Sequence, residues 1–355
     1  MNILFLANEL RYTCGVTNHL IHLVEGLSKY NDINLFIICG GGNGTDRFEK
    51  FKVKITSDKR FLHKRRSIIS YFYAVSFLKT FIKQNKIDIV HSHYHYGANI
   101  AYDACKKIKI KTIQTNHGIL GNRGRLKHFI ADKYIAINEH IYNYLIEKKI
   151  IKKENISFIR CGIPIPSEPA FKKTKHINVL AASRFAKEKG LSTFIKAVSK
   201  IKAKSREGIE FLIAGEGELE NELLKLNDKL KAGIKFLGRV NDMANLLQST
   251  RVFVYPSTSN AEGFPAVITE AGAYNNLLIC SDFMGVTPMI QNEINGLIYH
   301  KGSSDELKDL LEKACNNYQQ YNSISLNLYQ KIKIEFDFQT MIDKHINLYK
   351  TCLQQ

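Results

Sequence analysis

Two glutamates, Glu262 and Glu270, bracket the segment of this chain best suited to chemistry, Tyr255 to Ala273. An apolar strand, Arg251 to Tyr255, runs into a polar loop that ends in Glu262-Gly263-Phe264-Pro265. Pro265 fits the first turn of a helix, because its fixed φ suits that position and its missing N–H is not needed there. Strand, loop and helix N-terminus together present free backbone N–H groups and a positive dipole end, which attract phosphates and other anions. Glu270 is flanked by Val267, Ile268, Ala271 and Ala273, so it is expected to point into a largely buried site. A carboxylate there needs hydrogen-bond donors, and sugar hydroxyls would supply them. The plainer reading is one Glu favoured by the helix dipole and a second one solvated.

Glu262-Gly-Phe-Pro-Ala-Val-Ile-Thr-Glu270-Ala resembles the E-x7-E signature of retaining glycosyltransferases, specifically those of family 4. Members of that family carry two Rossmann-like domains facing each other across a cleft, the GT-B fold. Other segments resemble the family in the same order. Lys111-Thr-Ile-Gln-Thr-Asn-His117-Gly118 matches its T-x-H-G stretch, and Ser183-Arg184-Phe-Ala-Lys-Glu-Lys189-Gly190 its R-x4-K-G motif. Cys161-Gly-Ile-Pro-Ile-Pro166 is similar to the element closing its first domain, and Phe236-Leu-Gly238 to its F-x-G segment.

The resemblance implies a nucleotide-diphosphate sugar as donor, a UDP-sugar above others, with no tightly bound cofactor and no metal. It assigns catalytic roles to Glu262, His117, Arg184 and Lys189. Breaking the glycosidic bond leaves a nucleoside diphosphate with new negative charge, which pre-placed cations stabilise. Arg184 would act there as a planar fork and Lys189 as a point charge. Helix-end amides near Gly263 and Phe264 would assist, with Pro265 beside them in the donor-binding segment. Glu262 would hold sugar hydroxyls, Glu270 the ribose, and His117 the sugar from the opposite domain. Gly238 would meet the nucleotide base through its backbone, and Gly15 would lie near the diphosphate. The implied reaction moves a hexose or N-acetylhexosamine to a glycan or lipid-linked glycan in cell-surface polysaccharide or lipopolysaccharide biosynthesis.

The chain also departs from the family. Gly15 stands alone where two glycines are usual, Asn275-Asn276-Leu277 replaces a G-x-P, and Met284 to Pro288 replaces a Gly-Gly. Two alternatives stay open: an inactive sugar-nucleotide-binding scaffold of a membrane glycan assembly, or another GT-B enzyme such as a nucleotide-sugar epimerase. A phosphorylase would need a pyridoxal-phosphate lysine site, which the sequence does not reveal.

The elements that position these residues read as α/β. Asn2 to Asn8 forms a buried strand, Cys14 to Thr17 a turn, Asn18 to Tyr30 an amphipathic helix and Leu35 to Cys39 a second strand. That succession is a Rossmann opening. A second one starts at Ile177 to Ala182. The expected division is an acceptor-side domain over 1–168 and a nucleotide-sugar domain over 177–336, with a C-terminal helix, about 337–355, packing on the first. Gly40 to Gly44 reads as a surface loop, since neither Lys-Ser/Thr nor a clear helix follows it. In Ile87 to His95 the histidines alternate, so on a strand they share a face. A third ligand type is not evident, and no metal site is expected.

With 355 residues the chain has room for two α/β domains with separate cores. Its net charge of +18 is uneven. Residues 1–170 hold 27 Lys and Arg against 13 Asp and Glu, while 171–355 hold 24 against 20, so the first half is expected to face something anionic. The excess concentrates in Lys52 to Lys86, where Asp58 is the one acid and where Ile68 to Ile82 is strongly apolar. This combination reads either as an element for an anionic membrane surface or as a Rossmann helix with a solvated basic rim. No nucleic-acid module is present, and nucleic acid is not an expected partner. Seven scattered cysteines without C-x-x-C spacing fit a reducing compartment. The first residues read as a strand rather than a signal peptide, and no run reaches membrane-span length. The expected location is cytoplasmic, with the inner face of the cell membrane as a peripheral site.

Overall fold

The computed structural model describes residues 1–12, 14–118, 130–148, 150–169, 172, 176–259, 265–283, 286 and 289–354. They form two compact units, one of Met1–Gly162 with Phe338–Gln355 and one of Ile163–Asp337. In chain order the first unit contains β1 (Asn2–Ala7), α1 (Gly15–Leu27), β2 (Asn34–Cys39), β3 (Val53–Ser57), α2 (Ile68–Gln84), β4 (Ile89–Ser92), α3 (His95–Cys105), β5 (Lys111–Asn116), β6 (Lys133–Ala136), α4 (Glu139–Glu147) and β7 (Ile156–Phe158). The second contains β8 (Ile177–Ala182), α5 (Leu191–Ser199), β9 (Ile209–Ala214), α6 (Glu220–Lys229), β10 (Lys235–Phe236), α7 (Met243–Gln248), β11 (Val252–Tyr255), α8 (Ala266–Ala273), β12 (Leu277–Ser281), β13 (Leu297–Tyr299), α9 (Ser304–Asn316) and α10 (Asn322–Glu335). A last helix, α11 (Phe338–Gln354), belongs to the first unit.

Among the described residues, the first sheet has the order β3-β2-β1-β4-β5-β6-β7 and the second β10-β9-β8-β11-β12-β13. The pairs are parallel, for example Ile3 with Leu35 and Ile89, and Val252 with Val179 and Leu277. Parallel strands covered on both faces need apolar residues at every position rather than at alternate ones. β1 and β8 meet that need. Ile3, Phe5 and Ala7 pack on one face with α1 and α11, while Leu4 and Leu6 pack on the other with α2 and α3. Val179 and Ala181 face the α5 side, and Leu180 and Ala182 the α8 side.

The seat of α11 on the first unit depends on one glycine. A Cβ at Gly26 of α1 would lie 2.2 Å from Cδ1 of the fully buried Ile342. Burial of an isoleucine of this kind stabilises by roughly 1.5–3 kcal/mol, and any larger residue at 26 would push α11 off.

Two local expectations change. The histidines do not share one strand face, because β4 ends at Ser92, His93 lies in the connection and His95 opens α3. Pro265 stands just before α8 in extended conformation, φ −70° and ψ 134°, instead of inside its first turn. Leu297–Tyr299 pairs parallel to β12, and the Asn295 amide ties the turn before it, donating to Met289 O at 3.1 Å. Finally, Ile68 to Ile82 does form a helix on the sheet, but only Ala74, Val75, Leu78 and Ile82 are buried.

Candidate functional site

In each sheet the winding direction reverses between two adjacent strands, β1 and β4 in the first and β8 and β11 in the second. Open α/β sheets bind ligands at the carboxyl ends of such strand pairs. The expected cationic site lies at the second reversal.

There, β8 runs into Ser183–Gly190 and β11 into Pro256–Ser259. Backbone hydrogen bonds hold the first loop: Ser183 N donates to Ala214 O at 3.1 Å, and Phe185 N to Glu216 O at 2.9 Å. Phe185 itself is fully buried. The two loops are also joined directly, since Thr258 N donates to Glu188 O at 2.8 Å and Ser257 Oγ to the same oxygen at 3.1 Å. Gly190 makes the close approach possible. Its φ is +64°, and a Cβ there would sit 1.9 Å from Pro256 O. Both the left-handed conformation and the contact demand glycine.

The cations sit on this frame. Lys189 Nζ donates to the Tyr255 hydroxyl at 3.0 Å. Burial pulls the Lys189 ammonium down to about 8, with Arg184 lowering it further and Glu188 opposing the shift. Tyr255 is itself held far above its ordinary value by burial. Arg184 is nearly half exposed, paired with Glu188 at 2.5 Å and within 3.9 Å of Glu218. A half-buried cation at the end of a central strand suits an anion, because an incoming phosphate offsets the solvation that burial removed.

Glu270 is half-buried on α8, with Ile268 and Ala271 fully buried beside it. Gly238 has φ +63°, and its carbonyl accepts from Gly215 N–H at 2.8 Å. Gly15 opens α1, and a Cβ on it would meet nothing within 4 Å. Glu262, Gly263 and Phe264 lie outside the described residues.

The first reversal is filled by imidazoles. His19 on α1, His91 at β4, His93 behind it, His117 after β5 and His345 on α11 pack against one another, with ring centroids 4.6 to 6.1 Å apart for the neighbouring pairs. His91 bridges the Tyr349 hydroxyl at 2.9 Å and Thr115 Oγ1 at 2.7 Å. His345 Nδ1 lies 2.8 Å from Met341 O. Burial holds His19, His91 and His93 well below the usual histidine range and pulls His117 and His345 to about 4. These rings are neutral at physiological pH. His117 keeps part of its surface exposed, so it retains access to a ligand.

The sequence motifs missed two participants. Tyr255 was visible as a tyrosine at the carboxyl end of a strand, and His19 as a histidine in the first turn of the Rossmann helix. Neither signal distinguishes a core aromatic from a site residue without the fold.

Comparison with known proteins agrees with this geometry. The description "Glycosyltransferase Family 4" matches residues 13–165, and "Glycosyl transferases group 1" matches 166–331. The chain is 27% identical over 336 residues to an uncharacterized glycosyltransferase of Methanocaldococcus jannaschii, covering 89% of each protein. It is 26% identical over 345 residues to a Campylobacter jejuni enzyme, covering 90% of each; that enzyme's name is GalNAc-alpha-(1->4)-GalNAc-alpha-(1->3)-diNAcBac-PP-undecaprenol alpha-1,4-N-acetyl-D-galactosaminyltransferase. Among solved structures, Anabaena HepE in complex with UDP superposes with a TM-score of 0.80 at 17% identity, over 99% of this chain and 100% of that one. Taken with the two parallel sheets and the order of the motifs along them, these matches make the chain a glycosyltransferase of family 4 with the GT-B fold.

Proposed function

We propose that this glycosyltransferase is a retaining enzyme. It moves a hexose or N-acetylhexosamine from a UDP-sugar to a lipid-linked glycan, in the assembly of cell-surface polysaccharide or lipopolysaccharide. The observation that carries this reading is Lys189, a half-buried ammonium at the strand-order reversal that bonds Tyr255 and is lowered to about 8, with Arg184 in the same loop. As the bond from the anomeric carbon to the β-phosphate oxygen breaks, its electron pair moves onto the diphosphate. Arg184 and Lys189 stabilise that charge where it develops. An oxygen of the leaving diphosphate takes the acceptor hydroxyl's proton while attack comes from the same face. His117 contacts the donor sugar, and its neutral ring suits hydrogen bonding to a hydroxyl. Glu262 holds the sugar hydroxyls and Glu270 the ribose. The diphosphate charge is met by protein cations, so this step uses no metal and no tightly bound cofactor.

UDP is favoured because the Anabaena structure of the same fold is a UDP complex. A lipid-linked acceptor is favoured because the Campylobacter enzyme's name specifies an undecaprenol-diphosphate glycan. The surface of the first unit supports the same conclusion. Ile68, Ile69, Phe72 and Tyr73 on α2 are 79, 70, 67 and 60% exposed. Lys64, Arg65 and Arg66, also exposed, immediately precede them. Apolar side chains beside a basic cluster fit the headgroup region of an anionic membrane, which supports a peripheral position on the inner face of the cell membrane. Among the described residues no helix is long and apolar enough to cross a membrane.

The test is incubation with a panel of UDP-hexoses and UDP-N-acetylhexosamines and a polyprenyl-diphosphate-linked sugar, followed by NMR of the new linkage. An α-linked product is expected from the α-configured donors. A β-linked product would overturn retention, and nucleotide binding without transfer to any lipid-linked acceptor would move the chain to the scaffold reading.

A further inference from the structure

We infer that His19, His93 and His117 form a binding site for a divalent transition-metal ion of the zinc class. Each of the three offers a ring nitrogen, and these nitrogens lie within 4.8 Å of one another. The rings form a nearly equilateral triangle, with centroids 5.5, 5.1 and 5.4 Å apart. His93 Nδ1 and His117 Nε2 are already 3.1 Å apart. Zinc–nitrogen bonds of about 2.0–2.1 Å in a tetrahedron place ligand nitrogens about 3.3 Å from one another. One edge of the triangle therefore has the required length, and small ring rotations close the other two.

A second observation points the same way. Both ring nitrogens of His19 and Nε2 of His93 are buried without a hydrogen-bond partner. A buried polar atom left unsatisfied costs about 1–3 kcal/mol, so a ring such as His19, with neither nitrogen satisfied, requires an explanation. A metal ion takes one nitrogen from each ring, and it would give His19 the partner that ring otherwise lacks. Of the neighbouring rings, His91 is engaged through both nitrogens with Tyr349 and Thr115, and His345 through Nδ1 with Met341 O, its Nε2 being buried without a partner. They act as the packing that fixes the ligands. The three rings come from α1, the β4 connection and the end of β5, which meet at the reversal of the first sheet. The fold thus holds them on separate rigid elements.

The donor set selects the ion. Three neutral imidazoles suit Zn²⁺, Cu²⁺, Ni²⁺ or Co²⁺, whereas Mg²⁺ and Ca²⁺ require oxygen ligands. A fourth position remains for water or a ligand oxygen. Such an ion is not the counter-ion of the donor diphosphate, a role that Arg184 and Lys189 fill. It would withdraw His117 from the donor sugar, so the site is expected to be inhibitory. That consequence rests on the function proposed above, and the binding site does not.

The test therefore uses no activity. Chelator-treated protein is titrated with Co²⁺ and the visible spectrum recorded, then Zn²⁺ is added in competition. The wild type is expected to develop the intense visible absorption of tetrahedral cobalt, saturating at one ion per chain and abolished by Zn²⁺. His19→Gln and His93→Gln are each expected to weaken binding at least by the ~10–100-fold that loss of an outer-shell partner costs. His300→Ala is expected to change nothing, since His300 is an exposed residue paired with Glu306. X-ray absorption of the zinc-loaded wild type covers the case in which a variant does not fold, and three imidazole ligands are expected. Octahedral cobalt, retention of the tetrahedral spectrum in both glutamine variants, or fewer than three imidazoles around zinc would overturn the proposal.

Discussion

The two sheets reverse their winding in the same manner, yet they fill the reversal with different chemistry. In the first, five histidines pack together as neutral rings, and burial is the largest cause of their lowered values. In the second, a single half-buried lysine bonds a tyrosine, and its partial burial lowers it only to about 8. The first suits hydroxyls or, on the proposal above, an ion of the zinc class, because neutral imidazole both donates and accepts. The second suits an anion, because its lysine retains a positive charge at pH 7. A Rossmann-like sheet dictates where a ligand sits and leaves its nature to a few side chains at the strand ends.

Substitutions at the second reversal should have the largest effects. Lys189→Ala is expected to lower transferase turnover by about 10²–10³-fold, the typical cost of removing one charge-stabilising group. Steady-state assays with a saturating UDP-sugar measure it, and a change under threefold would remove Lys189 from the chemistry. Gly190→Ala should destabilise the second unit by roughly 2 kcal/mol or more, because it adds left-handed strain to the 1.9 Å contact with Pro256 O. Urea unfolding reads the change, and an unaltered midpoint would mean that the two loops are not locked together.

At the first reversal, Tyr349→Phe leaves His91 Nδ1 without its partner at 2.9 Å. About 1–3 kcal/mol of stability should be lost, with UDP affinity unchanged. A loss of UDP affinity would mean that the two sites are coupled.

A pH series separates the two sites further. Lys189 is charged below about 8 and neutral above it, and a bound diphosphate favours the charged form. UDP affinity should therefore be flat below that pH and fall by up to ~10-fold per unit above it. Isothermal titration from pH 6.5 to 9.5 checks the sign, and affinity rising with pH would exclude Lys189 as the contact. The smallest effect is expected at the surface, where Phe72→Glu should weaken binding to anionic vesicles at low salt by roughly 10-fold. Its unfolding midpoint should stay in place, since Phe72 is 67% exposed.

The strands of both sheets were legible because parallel strands buried on both faces leave continuous apolar runs such as Ile3–Ala7 and Val252–Tyr255. The loop that carries Arg184 and Lys189 was legible because it follows a strand and ends in a glycine, and the structure places that glycine in the left-handed region. The histidine cluster was not. Its members are separated by up to 326 positions between His19 and His345, and only sheet order brings them together. Alternation in His91, His93 and His95 suggested one shared face, but the strand ends too early for that pattern to hold. The exposed face of α2 was ambiguous for a different reason. An apolar helix on a sheet and an apolar helix at a membrane have the same composition, and only the surface buried against the sheet separates Val75 and Leu78 from Ile69 and Phe72.

The most direct measurement is isothermal titration of the wild type, Lys189→Ala and Arg184→Ala with UDP, GDP and ADP. Saturable binding of UDP to the wild type, lost or weakened more than tenfold in both variants, is the predicted result. Equal UDP binding in all three proteins, or binding of none of the nucleotides by the wild type, would contradict the assignment of the donor diphosphate to this cation pair.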